Sequence, residues 1–245
     1  MSLLKLSIAT TDYDHFRDLR MGLVKAEGID LNWLNLGHHE CFARFTAGRE
    51  FDLSELSFAK FSTQVTRKDS NIIGLPIICS RLFRFSSFYV NKKSGIKSTK
   101  DLIGRKVGSP EWAHSAAVYM RGWLHNDMGV KLTDVHWYQA GANSPGREEK
   151  VEINLPEGVR LTRVADKSLS ELLDPAVSRY PLPWLASYAR KMRDLFEGDT
   201  FPYGIEENRA TWEQMALYTF QQGIAHRQFT PEEIFPASIS TKVII

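Results

Sequence analysis

Two arginines stand three residues apart in the run Ser80-Arg81-Leu82-Phe83-Arg84-Phe85-Ser86-Ser87. A guanidinium offers a planar fork of donors that matches a carboxylate or phosphate, so arginines and serines inside an aromatic run point to an organic anion. The plain alternative is a solvated strand edge. In Pro110-Glu111-Trp112-Ala113-His114-Ser115 a carboxyl and an imidazole lie close in sequence, the two side-chain types that most often move protons. His114 equally suits a helix start, bonded to its own backbone. Thr10-Thr11-Asp12-Tyr13-Asp14 and Ser54-Glu55-Leu56-Ser57 add hydroxyls and carboxylates, although Asp12 and Asp14 serve as well for helix N-caps. Arg147 ends a turn-rich loop, Gly141-Ala142-Asn143-Ser144-Pro145-Gly146-Arg147.

Other chemistries lack their patterns. His38-His39-Glu40 carries metal-type side chains, but neighbouring helical positions point to different faces and no H-x-x-x-H or facial-triad spacing occurs. These residues are expected to be structural or on the surface, with no metal bound. His125 and His136, at a helix end and a strand start, receive no role. G-x-G-x-x-G, G-x-x-x-x-G-K and G-x-S-x-G are absent, and with them the usual nucleotide and nucleophile-elbow signatures.

The candidate residues fall on loops because of the elements around them. Residues 4–9 alternate apolar and polar side chains and read as a strand, followed by a short helix from Asp12 or Asp14 to Met21. Residues 29–34 form a second strand, 39–47 a helix stopped by Gly48, 51–56 a third strand and 57–66 a helix. Further strands are predicted over 72–78, 85–91, 106–110, 135–139 and 159–164. A helical turn is predicted near 97–102, helices over 113–126 and 169–173, the last capped by Ser168. After the prolines at 175, 181 and 183 only helices follow, over 184–196, 206–222 and from Pro231. Alternating strands and helices predict parallel sheets covered by helices. In such sheets ligands bind beyond the carboxyl ends of the strands, where Asp12, Tyr13, Ser54, Glu55, Glu111, His114 and Arg147 fall. Ser54, Glu55 and Ser57 open a helix whose free N–H groups favour an anion.

Composition sets outer limits. The 245 residues are 43% hydrophobic and 24% charged with a net charge of +2, an ordinary globular balance without the basic excess of a nucleic-acid binder. Cys41 and Cys79 are far apart, which excludes a disulfide scaffold and fits a reducing compartment. No apolar run approaches membrane-spanning length and no secretory signal pattern opens the chain, so the expected location is cytoplasmic, away from membranes.

Several segments occur together in a recognisable order. They include Asp12-Tyr13-Asp14, Glu27-Gly28-Ile29-Asp30-Leu31, residues 50–57, Ser80-Arg81-Leu82-Phe83-Arg84 and Tyr89-Val90-Asn91. Residues 101–108, Pro110-Glu111, Pro145-Gly146-Arg147 and Phe201-Pro202-Tyr203-Gly204-Ile205-Glu206 continue the series. This ordered set resembles the 4,5-dihydroxyphthalate decarboxylase family over nearly the whole chain. The resemblance implies an α/β architecture like that of the type 2 periplasmic binding proteins, two lobes around a cleft, with a helical C-terminal part. Lobe 1 would comprise residues 1–92 plus 183–245 and lobe 2 residues 93–182. Family members are longer, and the stretch from Leu173 to about Leu182 stands where the rest of the second lobe belongs, so lobe 2 is expected to be shortened.

The implied chemistry is loss of CO₂ from an electron-rich aromatic acid. It needs cations for the carboxylates, an acid to protonate the ring carbon and a base for the phenol. The resemblance implies carboxylate binding by Arg81 and Arg84, proton transfer by His114 and Glu111, and ring-hydroxyl contacts from Asp12 and Ser54, with Tyr13, Glu55 and Arg147 also in the substrate site. No cofactor is required. The partner would be a small aromatic carboxylate, with self-association as a further expectation. The competing class is a non-catalytic solute-binding protein or sensor for a small organic anion that uses the same cleft.

Overall fold

A computed structural model describes residues 2–81, 88–173, 202–236 and 238. They fall into two compact units, residues 1–58 and 59–245.

The first unit is built on strand β1 (Leu4–Thr10), whose burial rises towards its carboxyl end. A 3₁₀ turn (Asp14–Phe16) and helix α1 (Arg17–Arg20) lead to β2 (Ile29–Asn35), which pairs parallel with β1 from Leu4↔Ile29 to Thr10↔Asn35. Helix α2 (His38–Gly48) then crosses to β3 (Leu53–Ser54), which joins the opposite edge of β1 through Ile8↔Leu53 and Ala9↔Ser54. The order is β2-β1-β3, all parallel, so the chain reverses direction of growth at β1. In parallel sheets such a reversal marks the strand ends where ligands bind, here the ends of β1 and β3. Ala9, Cys41 and Phe51 form the buried centre, with Leu34, Leu36, Phe42 and Phe45 packed on it.

Two local expectations are corrected in this unit. The third strand is shorter than the predicted 51–56, ending at Ser54. Gly48 does not stop α2: it remains helical, and Arg49 takes the left-handed conformation with φ of 50°. The strain is offset locally, since the Arg49 Nη1 donates to Phe45 O at 2.8 Å and the guanidinium lies 4.9 Å from the Phe45 ring centre.

The second unit begins in helix α3 (Phe58–Val65). Its sheet comprises β4 (Lys106–Ser109), β5 (His136–Gln139) and β6 (Arg160–Arg163), in the order β4-β5-β6 and parallel throughout. Helix α4 (Ser115–Asn126) connects the first pair, and α5 (Leu169–Leu172) follows β6, capped by Ser168 as predicted. Helices α6 (Arg209–Gln221) and α7 (Pro231–Ile234) complete the described part. Trp112, Val118, Leu124, Val135 and Trp137 are buried with Met215, Tyr218 and Ile224. At the α4–α6 contact Gly122 faces the Tyr218 ring so closely that a Cβ would stand 2.2 Å from it.

The parallel sheets agree with the alternating pattern, but residues 72–78 form no strand. Pro76 lacks a ladder donor, and the segment's backbone bonds go singly, Gly74 N–H to Ile234 O at 2.8 Å and Gly204 N–H to Pro76 O at 3.0 Å. The strand predicted over 85–91 lies partly outside the described residues, and 88–91 carries none. The helix predicted over 184–196 lies wholly outside them. Among the described residues, no helix is long and apolar enough to cross a membrane.

Candidate functional site

In the second unit, Glu111 lies two residues beyond β4, its carbonyl accepting the Ser109 hydroxyl at 2.8 Å. Its carboxylate has a side-chain exposure of 2% and meets two cations. Lys60 Nζ stands 3.0 Å from Oε2, and Arg147 Nε donates to Oε1 at 2.7 Å. Each cation reaches it for a reason of local structure. The Ser115 hydroxyl accepts the Ala59 N–H at 3.1 Å, which ties the start of α3 to the start of α4 and brings Lys60 in. Arg147 follows Gly146, whose φ of 81° turns the β5–β6 loop and whose N–H donates to Ala165 O at 3.0 Å. Two residues on, Glu149 accepts the backbone N–H groups of Trp112 and Ala113 at 2.7 and 3.0 Å, satisfying donors just ahead of α4.

Burial alone would push the Glu111 carboxyl up. Lys60 and Arg147 outweigh it and hold the group below the ordinary carboxylate range, so Glu111 is ionised. Among the described residues, Arg147 spends only its Nε; its two Nη nitrogens make no bond and the side chain keeps 24% exposure. A fork of two donors is thus presented beside a buried cation, an arrangement suited to a planar carboxylate.

Behind this cluster Arg121 is fully buried, its guanidinium 3.9 Å from the Trp112 ring centre and 5.7 Å from that of Trp137. Its Nε donates to Gln222 Oε1 at 2.8 Å and its Nη2 to Trp112 O. Gln222 in turn donates to Val118 O and accepts from the Trp112 indole, both at 2.8 Å. Burial pushes the Arg121 guanidinium down to about 9, partly offset by Glu149. The knot fixes Trp112, and with it the loop carrying Glu111.

His114 closes that loop. It precedes α4 with an extended ψ of 118°, and its carbonyl accepts the Val118 N–H at 2.9 Å while its side chain does not cap the helix. Arg81 is half-buried and donates to Asn208 Oδ1. Asn208 is held in turn, donating to Pro202 O and Gly204 O at 2.8 and 3.0 Å. Arg84 lies outside the described residues.

In the first unit a second cluster gathers beyond the ends of β1 and β3. Glu55, with a side-chain exposure of 7%, accepts the Thr11 N–H at 3.1 Å on Oε2 and the Tyr13 hydroxyl at 2.8 Å on Oε1. The same Tyr13 oxygen lies 2.8 Å from His38 Nε2. The Ser54 hydroxyl donates to the Glu55 carbonyl at 3.0 Å and lies 3.3 Å from the Cys41 thiol. Burial pushes that thiol's pKa up. Asp12 is largely exposed and pairs with Arg20 at 2.9 Å.

The structure thus brings Glu111 together with Arg147, and Tyr13 together with Glu55. It anchors Arg81 on Asn208 and leaves Asp12 on the surface. Sequence reasoning missed three members. Lys60 was legible as a single cation inside the apolar stretch of α3, and His38 as the first residue of a helix that starts beyond the end of β2. Glu149 carried no signal. Among the described residues, no group of three or more His, Cys, Asp or Glu side chains is arranged to hold a metal ion.

No family profile matches the chain. Two curated relatives do. One is a 4,5-dihydroxyphthalate decarboxylase of Comamonas testosteroni, 38% identical over 174 residues, which are 71% of this chain and 53% of that protein. The other is a 4,5-dihydroxyphthalate decarboxylase of Pseudomonas putida, 36% identical over 159 residues, 65% of this chain and 62% of the relative. The chain therefore spans roughly half to three-fifths of the curated relatives it matches. With an ordered set of matching segments and identity at this level over most of its residues, the chain is similar to the 4,5-dihydroxyphthalate decarboxylases across the part of them that it spans.

Proposed function

We propose that the protein is a cofactor-independent decarboxylase of a hydroxylated aromatic carboxylic acid of the 4,5-dihydroxyphthalate type, acting in the cytoplasm within a fold of the type 2 periplasmic-binding-protein kind. The observation that carries the reading is the 38% identity to a relative bearing that activity in its name. The cluster around Glu111 supports it chemically. Glu111, ionised, fixes Arg147 and Lys60 so that the free Nη fork of Arg147 takes a substrate carboxylate, with Arg81 and Arg84 as further carboxylate ligands. Asp12 and Ser54 are proposed to meet the ring hydroxyls, with Tyr13 and Glu55 also in the substrate site.

The reaction needs little else. Deprotonation of the hydroxyl para to the carboxylated carbon pushes electron density onto that carbon. An acid then adds a proton there, the bond to the carboxylate breaks, CO₂ leaves, and the electron pair returns to the ring. An ionised Glu111 accepts rather than donates, so of the proposed proton-transfer pair His114 takes the donor's share, while Glu111 supplies the negative charge that holds Lys60 and Arg147 in place.

Incubation with 4,5-dihydroxyphthalate while CO₂ is measured tests the proposal. Release of CO₂ is expected, and Arg147→Ala should raise KM by about 10- to 100-fold through loss of a charge-assisted contact. Firm binding of the acid with no CO₂ released would replace the enzyme by a solute-binding protein or sensor. Neither binding nor turnover would overturn both readings.

A further inference from the structure

The cluster of Tyr13, His38 and Glu55 has a hydrogen-bond order that its chemistry dictates. A phenol owns one proton. The Tyr13 oxygen lies 2.8 Å from both Glu55 Oε1 and His38 Nε2. The carboxylate only accepts, so the tyrosine proton goes to Glu55 and the tyrosine oxygen must accept from His38. His38 therefore carries a hydrogen on Nε2, and its Nδ1 is left with the lone pair. Glu55 is buried, whereas the His38 side chain is 51% exposed. The chain of bonds runs from a carboxylate inside the protein to an imidazole at the surface.

The surroundings hold the three groups in place. His15 stacks on Tyr13 at 5.3 Å, Phe16 meets the Tyr13 ring edge-on at 6.1 Å, and Phe42 meets His38 edge-on at 5.9 Å. Glu55 is fixed from the other side by the Thr11 N–H at 3.1 Å, and its own N–H donates to Ala9 O at 2.9 Å. The titratable groups around the imidazole are thus Tyr13 from the β1–α1 loop, Glu55 from beyond β3, and His15 through its stack on Tyr13. All sit where β1 is flanked by β2 and β3, the point at which parallel sheets bind ligands. Thr11 Oγ1, on the same loop, is buried and has no hydrogen-bond partner among the described residues.

We infer that His38, Tyr13 and Glu55 form a proton relay in which His38 Nδ1 takes the proton of a phenolic hydroxyl on the ligand. In that step the ligand O–H bond breaks, an N–H bond forms on Nδ1, and the oxygen keeps the electron pair as phenolate. Glu55, through Tyr13, offsets the charge on the imidazolium. After CO₂ has left, the imidazolium returns the proton to the same oxygen, so the relay ends as it began. The identity of the ligand rests on the decarboxylase reading; the relay itself does not. His38 is a group that neither a structural role nor a metal reading of His38-His39-Glu40 would place in this duty.

The test uses the full chain and two readouts. NMR of the histidine ring nitrogens, with His38 assigned by its loss in His38→Gln, should find the Nε2–H tautomer. Adding catechol should shift the Nδ1 signal. In the CO₂ assay His38→Gln should lower kcat by about 100-fold with KM within about twofold, the usual scale for a lost general base. Tyr13→Phe, which keeps the ring packing, should lower kcat less and displace the pH profile. An Nδ1–H tautomer, a catechol complex that leaves the His38 signals unmoved, or His38→Gln turning over with wild-type kcat and pH profile would each overturn the relay. Wild-type protein that releases no CO₂ but shows the Nε2–H tautomer and the catechol shift would instead overturn the decarboxylase reading and leave the relay standing.

Discussion

Glu111 holds two cations on one carboxylate with almost no access to water, and this decides how the protein should respond to its loss. Removing one partner of a buried ion pair strands the other, a change that costs about 3–5 kcal/mol. Glu111→Gln strands Lys60, which is 7% exposed, and should destabilise the fold on that scale in urea melts at neutral pH. The pH dependence has a definite sign. Because the folded carboxyl lies below its unfolded value, its contribution is fully present above the ordinary carboxylate range and is lost as pH falls through the folded value. The gap between wild type and Glu111→Gln should therefore be widest near neutrality and close in acid; a gap constant down to low pH would refute the assignment. Residue types made Glu111 and Arg147 legible in the sequence as an acid and a cation on strand-end loops. Their pairing was not, because the separation of 36 residues along the chain is bridged only by the folding of the β5–β6 loop.

At the scale of elements, the contact between α4 and α6 depends on the absence of a side chain. Alanine in place of Gly122 gains about 1 kcal/mol of helix propensity. Its Cβ would stand 2.2–2.4 Å from three atoms of the Tyr218 ring, which is itself held edge-on to Tyr119 at 5.7 Å. Overpacking of this kind costs about 1–3 kcal/mol, with more when the neighbour cannot yield. Gly122→Ala should thus lower the thermal midpoint, and a rise would show that the helices can separate freely. Most elements were legible, since period-two and helical patterning follow from which face must be buried. Arg49 and residues 72–78 were not. A helix ends where its last carbonyls find partners, and Arg49 supplies one through its own guanidinium. A run such as Ile72-Ile73-Gly74-Leu75-Pro76-Ile77-Ile78 has strand composition but, among the described residues, no neighbouring strand to pair with.

For the whole molecule, that unpaired run has a consequence for solution behaviour. Gly74 and Pro76 are buried while Ile73, Leu75 and Ile77 alternate outward at 68%, 36% and 40% exposure. Contiguous exposed apolar side chains favour association. Light scattering should show a mass that rises with concentration, and the double change Ile73→Asp and Ile77→Asp should reduce it. A monomer at every concentration would remove this segment from consideration. The sequence by itself determined the α/β class, the parallel sheets and the loops that carry the chemistry, because patterning and loop position are local consequences of side-chain type. Only the tertiary structure decided which of those residues meet: Glu111 with Lys60 and Arg147, Glu55 with Tyr13 and His38, Arg81 with Asn208. Ion pairs and hydrogen bonds act over a few ångströms, and contacts between residues distant in the chain exist only once sheet order and helix packing have brought them within that range.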